Sequence, residues 1–501
     1  MKNTHPAMMK GTGSNLLPAL TPVASAVASS GAGTLSVPPG YPDHDAQRIA
    51  DRQNQTARAG YAERQSPAAL LPRIVIVGAG FGGLTCARAL RHARAALTII
   101  DQRNFNLFQP LLYQVATAAL SPADISMPIR RILQRQRNAR VILGHVEAID
   151  PLTRRIFLSG SDQKVAYDYL VIATGARHAY FGHEEWEPFA PGLKDIEDAT
   201  EIRRRVLEAF ERAEVEAGAD ERRRLLSFII IGAGPTGVEM AGAIAELAKS
   251  ELAMPYRSIH GQRARIVLIE AGQQILPAFP PSLAAKATRS LEGLGVEVRT
   301  GAKVEGCDAG GIIAAGQCIE ARTLIWAAGV QASAAARWLG IDADHAGRIH
   351  VGPDLSLPGD RDIFVIGDTA TVPWRDGKNV PGIAPAAKQE GAYVAGLLLR
   401  RLSGKRAFPA FRYRHQGDLA TIGRKSAVVS FGRLRLSGWF AWLLWGAVHI
   451  FFLIGFRNRA LVALNWLWAY WTHEHGAGLI TGGTHPHARH ARGSTAPGGD
   501  S

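Results

Sequence analysis

Two glycine-rich strings are the residues most able to do chemistry in this chain. The first, Gly78-Ala79-Gly80-Phe81-Gly82-Gly83, follows the β-branched run IVIV and precedes the helix-prone run LTCARALRHARA. Glycine there permits a tight turn and lets backbone amides close on a pyrophosphate, which then rests on the positive end of the helix. Asp101 closes the next apolar run, ALTIID, where a carboxylate can accept hydrogen bonds from a ribose diol. The second string, Gly232-Ala233-Gly234-Pro235-Thr236-Gly237, repeats the arrangement 154 residues later, with Glu270 closing ARIVLIE as its acid. A carboxylate at that ribose repels a 2′-phosphate, so NADH is expected over NADPH. The bland alternative for Glu270 is a solvated charge at a strand end. Two such cradles suit electron transfer between two dinucleotides, FAD in one and NADH in the other, better than oxidation of a small alcohol.

Positioning these residues takes an α/β fold. Apolar β-rich runs (IVIVGAG, ALTIID, RVILGHV, YLVIATG, SFIIIGAG, ARIVLIEAG, TLIWAAGV, IFVIGD) alternate with helical stretches, the pattern of a parallel sheet with crossover helices. One Rossmann-like unit has been used twice. The expected division is an FAD-binding domain in two pieces, 72–190 and 340–400, around an NADH-binding domain at 191–339. Residues 401–482 form a membrane-anchoring segment. An Ala/Ser/Gly/Pro-rich extension (1–71) and a polar tail (483–501) cannot bury enough apolar surface to offset ordering entropy.

Other residues are placed by the same logic. Asp368, after the buried strand of IFVIGDTA and beside Gly367, can put a carboxylate on the second half of the FAD. Thr174 and Gly175 read as a small-residue crossing between the domains. Hydride transfer to a flavin is chemistry the cofactor carries, so the protein must orient, tune and exclude water. Glu239, two residues beyond the second string, lies where it can orient a nicotinamide or relay a proton; the alternative is an acid favoured by the helix macrodipole. Cys86, Cys307 and Cys318 form no CxxC and build no disulfide framework, and no metal site is expected. Cys307 and Cys318 read as small apolar residues of the NADH domain.

Composition bounds the rest. With 501 residues, 47% hydrophobic and 20% charged, the chain is neither mostly disordered nor polytopic in a membrane. Its net charge of +14 asks for an acidic partner. From Arg400 to His475 twelve basic residues face only Asp418 and Glu474, and six of the ten tryptophans fall between Trp439 and Trp471. Charge and aromatic residues concentrate together, so anionic lipid is the expected partner and nucleic acid is not. Trp439–Phe456 is just long enough to be a spanning candidate. Arginines around it favour helices lying in the interface, with a protein-buried dimer contact as the competing reading.

GAGFGGL, VIATGA, GAGPTGVEMAG and IGDTA, in that order, resemble the two-dinucleotide flavoproteins related to glutathione reductase. FQPLLYQVATAALSPADISMPIR, TLIWAAGV, PGIAPAAKQEGAYVA and FFLIGFRNRALVALNW narrow the resemblance, from about Arg73 to Ile480, to the type II NADH dehydrogenases. That resemblance implies a respiratory, non-proton-pumping NADH:quinone oxidoreductase with non-covalent FAD. The quinone, ubiquinone or menaquinone, reaches the flavin from the membrane, at the cytoplasmic face of a bacterial inner membrane, and a homodimer is a further expectation. Gln109, Thr117, Ala328 and Gly329 complete the cofactor-binding set, while Gln389, Lys388, Tyr113 and Gln114 are the polar candidates facing quinone or the flavin ring. The chain departs from the family's usual residues at Asn106, where His is frequent, and at Pro385 and Glu390, where Gln is frequent. The rival activities are a sulfide:quinone oxidoreductase, which needs a cysteine pair at the flavin, and a non-catalytic NADH sensor.

Overall fold

The computed structural model describes residues 71–251, 256–405, 408–472 and 478–481. The polar tail and all but the last residue of the N-terminal extension lie outside them. Arg73–Val77 (β1) is a β-branched strand buried on both faces, followed at once by the helix Phe81–Ala89 (α1) and the parallel strand Ala96–Asp101 (β2). Leu112–Ala116 (α2) and the strands Ala139–Leu143 (β3) and Tyr169–Ile172 (β4) complete this part of the chain. The short strand Ala176–His178 (β5) then leads away, and Ile196–Val215 (α3) opens the second unit. Asp195 caps α3 in a reciprocal box with Asp198, an arrangement contributing about 1 kcal/mol.

In the second unit Ser227–Ile231 (β6), Pro235–Glu251 (α4) and Arg265–Ile269 (β7) repeat the order of β1, α1 and β2. Val296–Arg299 (β8) and Thr323–Trp326 (β9) widen that sheet to the order β8-β7-β6-β9. Val330–Ala332 (β10) pairs antiparallel with β5, so the two chain crossings between the units lie side by side. Ala335, Ala336 and Leu339, expected in the second domain, pack in the core of the first, because the chain returns at β10 rather than at residue 340. Ser356–Leu357 (β11) and Asp360–Val365 (β12) finish the first sheet in the order β11-β12-β4-β1-β2-β3.

Ala384–Leu402 (α5) carries Pro385 in its first turn, where the missing amide costs no helical hydrogen bond. The helix runs tightly along α1: a Cβ on Gly391 would stand 2.2 Å from the Gly82 carbonyl oxygen. Asp418–Thr421 (β13), Ala427–Phe431 (β14) and Leu434–Gly438 (β15) form an antiparallel meander. Trp439–Phe452 (α6) and Phe456–Thr472 (α7) follow. Fourteen residues rise only about 21 Å, short of the roughly 30 Å hydrocarbon layer. Gly455, at φ +90°, turns the apolar run back on itself, and no helix among the described residues is long and apolar enough to cross a membrane. Ala441, Trp445, Leu453 and Val462 pack into the same core as Val238 and Met240 of α4, so these helices are built into the body.

Candidate functional site

The two cradles match almost atom for atom. Gly78 and Gly232 sit at φ +96° and +100°, and their amides donate to Ile100 O and Ile269 O at 2.8 and 2.7 Å. Ala79 N donates to Asp101 Oδ2 at 2.6 Å, and Ala233 N to Glu270 Oε2 at 2.8 Å. Each acid's other oxygen accepts the amide two residues on, Arg103 N or Gly272 N, at 2.7 Å. The acids therefore brace their glycine loops while standing at the strand ends expected of ribose ligands. A Cβ on Gly83 or Gly237 would collide with the carbonyl of Gly78 or Gly232, whereas Gly80 and Gly234 face open space. That space, at the first turn of α1 and of α4, is where a pyrophosphate fits. Phe81, Gly82 and Thr236 complete the two turns.

Near the first cradle, the Thr174 hydroxyl meets Ser333 Oγ at 2.6 Å, and Thr369 donates to Gly175 O at 3.2 Å. Lys194 Nζ lies 3.7 Å from Asp368. A cavity of about 160 Å³ is lined by Ala176, Val330, Gln331, Gly367, Asp368 and Glu390, among others. Glu390, only 2% exposed, accepts the Gly367 amide at 2.5 Å, and burial pushes its carboxyl up to about 8, with the negative charge of Asp368 acting in the same direction. The cradle, the small residues and this cavity fit an FAD, and the second cradle fits NADH. Ala328 and Gly329 extend that second cradle, since a Cβ on Gly232 would lie 2.4 Å from Ala328 Cα. A wider surface cleft of about 350 Å³ around Arg205, Arg212 and Arg322 shares no residue with either loop.

A third group gathers beneath α6 and α7. Glu239 is 8% exposed, and burial pushes it up to about 8, against the weaker opposing pull of the Thr421 amide and the neighbouring Trp445 indole. The Thr421 amide donates to it at 3.3 Å, while Trp445 Nε1 reaches no acceptor at hydrogen-bond distance. Gln114 Nε2 donates to the Tyr113 hydroxyl at 2.8 Å, and Trp466 Nε1 donates to Gln114 Oε1 at 2.7 Å. Burial, then the charge of Glu239, hold the Tyr113 phenol well above its ordinary range. His449 stacks on Trp445 at 4.2 Å and donates from Nδ1 to its carbonyl at 2.7 Å, and burial lowers it to about 4, so it stays neutral. Lys388 Nζ stands 4.3 Å from the Phe452 ring centroid and 5.4 Å from that of Phe81. Burial, then Arg459 and Arg88, lower it to about 8.

The structure thus brings Glu239, Tyr113 and Gln114 to one aromatic lining and Lys388 to its edge. Gln389 is tied elsewhere: both ends of its amide pair with the backbone of Arg414, at 2.9 and 3.0 Å. Gln109 donates to Lys194 O, and Thr117 donates to Tyr113 O, so both side chains tie the chain locally. Sequence reasoning missed Trp445 and Trp466 as lining residues; their only signal was the tryptophan enrichment. Cys307 and Cys318 lie on the outer two strands of a three-stranded meander, Val304–Asp308, Gly311–Ala314 and Gln317–Glu320, and are not register partners. Among the described residues no cysteine lines the cavity beside Gly367 and Asp368.

Comparison with known proteins follows the same division. The Pyridine nucleotide-disulphide oxidoreductase family matches residues 72–391, and the NDH2 C-terminal domain matches residues 415–472. Among similar proteins, the type II NADH:quinone oxidoreductase Ndh of Mycobacterium tuberculosis is 41% identical over 436 residues, 83% of this chain and 93% of that protein. Its NdhA counterpart from the same organism is 43% identical over 410 residues, 79% of this chain and 86% of that protein. NDH2 from Plasmodium falciparum, solved in complex with NADH, superposes with a TM-score of 0.75 at 21% identity, covering 81% of this chain and 99% of its own. The sulfide:quinone oxidoreductase from Aquifex aeolicus shares the fold at a TM-score of 0.64 and 18% identity, over 85% of this chain and 96% of its own.

Proposed function

The chain belongs to the pyridine nucleotide-disulphide oxidoreductase family and, within it, to the type II NADH:quinone oxidoreductases, and from that premise we propose how its residues divide the work. The reaction is NADH + H⁺ + quinone → NAD⁺ + quinol. FAD, held by the residues below, would supply the two-electron chemistry that links NADH oxidation to quinone reduction. The FAD-binding domain, built on the first sheet, holds the flavin dinucleotide with Gly78–Gly83, Asp101, Thr174, Gly175, Gly367 and Asp368. The NADH-binding domain holds the nicotinamide dinucleotide with Gly232–Gly237, Glu270, Ala328 and Gly329. The observation that supports this division most directly is the matched pair of cradles joined by the adjacent crossings β5 and β10.

Glu239 is the proposed proton-carrying residue. Its carboxyl holds a proton near neutral pH because it is buried, and it lies between the start of α4 and the aromatic lining beneath α6. Tyr113 and Gln114, fixed by Trp466, shape that lining, and Lys388 balances developing negative charge at its edge. The outer faces of α6 and α7 expose Trp439, Phe440, Phe451, Phe456, Trp468 and Trp471. Together with the exposed Arg433, Arg435, Arg457 and Arg459 they support a reading of this face as a peripheral contact for an anionic bilayer, the cytoplasmic face of the inner membrane being the side we propose. Pairing of two copies is the competing use of that face. Steady-state NADH oxidation with a short-chain quinone, combined with anaerobic bleaching of the bound flavin by NADH, tests the assignment. A flavin that is reduced once and never turns over with quinone overturns it. Flotation with anionic vesicles tests the surface.

A further inference from the structure

Phe181 sits in a backbone conformation that a bulky residue rarely adopts, at φ +56°, and its side chain is 68% exposed. Nothing in the fold's core demands it there, yet its surroundings fix it firmly. Just before it, Ala179 N donates to Gly329 O at 3.2 Å, and Trp326 Nε1 donates to Ala179 O at 2.9 Å. Tyr180 stacks on Trp326 at 5.0 Å, and the Phe181 ring centroid is 6.3 Å from the same indole. The ring also lies directly on Gly329, where an added Cβ would come within 2.4 Å of its Cζ. Non-glycine residues held in this region persist only when the surroundings over-determine them, and such outliers collect at ligand clamps.

The place of the ring gives it a use. Ala328 abuts Gly232 of the second cradle, while Val330 and Gln331 line the cavity shared with Gly367 and Asp368. Gly329 is the step between them, and Ala328 and Val330 on either side of it are exposed. A nicotinamide riboside running from the second cradle to the flavin cavity must cross this step. We propose that Phe181 is a positioning residue for hydride transfer, a rigid aromatic wall against which the nicotinamide end of NADH stacks as it enters the flavin cavity. The inference deepens the assignment of the second cradle to NADH and rests on it. Stacking rather than hydrogen bonding suits a ring whose reacting carbon must stay free.

Phe181→Asn tests the idea, because Asn tolerates the left-handed backbone without the ring. On FAD-loaded enzyme whose flavin has first been reduced anaerobically with dithionite, so that no hydride can pass, the NADH dissociation constant should rise about threefold to tenfold. Binding of ADP, which lacks the nicotinamide, should stay unchanged, and the thermal midpoint should hold or rise. Phe181→Tyr should restore NADH binding. Parental NADH affinity in Phe181→Asn, or equal weakening of ADP, overturns the proposal. Glu270→Arg serves as the control: if it weakens NADH while Phe181→Asn does not, only the role of the ring fails. If neither variant alters NADH binding, the placement of NADH in the second cradle fails with it.

Discussion

Glu239→Gln separates a proton-holding carboxyl from a merely buried one, and its effect can be worked out from the site. The acid's ordinary value is 4.5, and burial in the fold pushes it up to about 8. Between those values the native state keeps a proton that the unfolded chain has released, so stability falls as pH rises through this window and levels off above it. Each pH unit climbed within the window costs about 1.4 kcal/mol, which makes the burden on the fold roughly 3 kcal/mol at pH 7 and close to zero near pH 4.5. Glutamine keeps the shape and an acceptor for the Thr421 amide but has no proton to lose. The thermal midpoint of Glu239→Gln should therefore match the parent near pH 5, pull ahead as pH rises, and run at a constant lead above about pH 8. Quinone turnover should fall by about 10²-fold or more while NADH still bleaches the flavin, because a positioned proton donor is lost and the hydride path is not. Differential scanning fluorimetry across pH 5–9, with stopped-flow flavin reduction, reads both. A stability gap that does not widen with pH would refute the buried, protonated carboxyl, and full quinone turnover would refute its proton role.

Other perturbations test the cradles and the surface. Gly391→Ala, normally worth up to about 1 kcal/mol of extra stability in a helix, should instead destabilise by about 1–3 kcal/mol. The new methyl would meet the Gly82 carbonyl at 2.2 Å and push α5 off α1, so FAD content after purification and the thermal midpoint should both drop. Glu270→Arg should shift selectivity from NADH toward NADPH by tenfold or more, read as the ratio of kcat/KM values, with some loss of total activity because the Ala233 and Gly272 amides lose their acceptor. Phe440→Asp and Phe456→Asp, at side chains 74% and 88% exposed, should abolish flotation with anionic vesicles and leave soluble-quinone turnover intact.

How far the sequence could be read depended on how local the determining contacts are. Each cradle is a strand, a turn, a helix and an acid inside about 40 residues, and every element announces itself through β-branched runs, glycine spacing and a terminal carboxylate. Glu239 was legible for the same reason, being fixed one turn into the helix that follows a cradle. Gln389 was not, because nothing near it in the chain says that its amide will close on the backbone of Arg414, 25 residues on. The Trp466 to Gln114 bond spans 352 residues and is invisible to any window. The run Trp439–Phe456 read as a spanning candidate on apolar length alone, and one glycine at positive φ folds it into a helical hairpin instead.

That hairpin joins the buried lining around Glu239 to the exposed face proposed to meet the membrane. Its inner face supplies Trp445, His449 and Trp466 to the lining around Glu239 and Tyr113, while its outer face exposes the aromatic residues proposed to enter lipid. The same two helices therefore cannot be removed as an anchor without uncovering the core around Val238 and Met240, and truncation before Arg433 is expected to cost folding as well as quinone access. Low dielectric is what holds Glu239 and Glu390 protonated and Lys388 weakly basic at neutral pH. Cover by the hairpin and the proton held by Glu239 are thus one property of the packing. Exposing either side of the hairpin to water should disturb both together, seen as a fall in the pH at which quinone turnover declines.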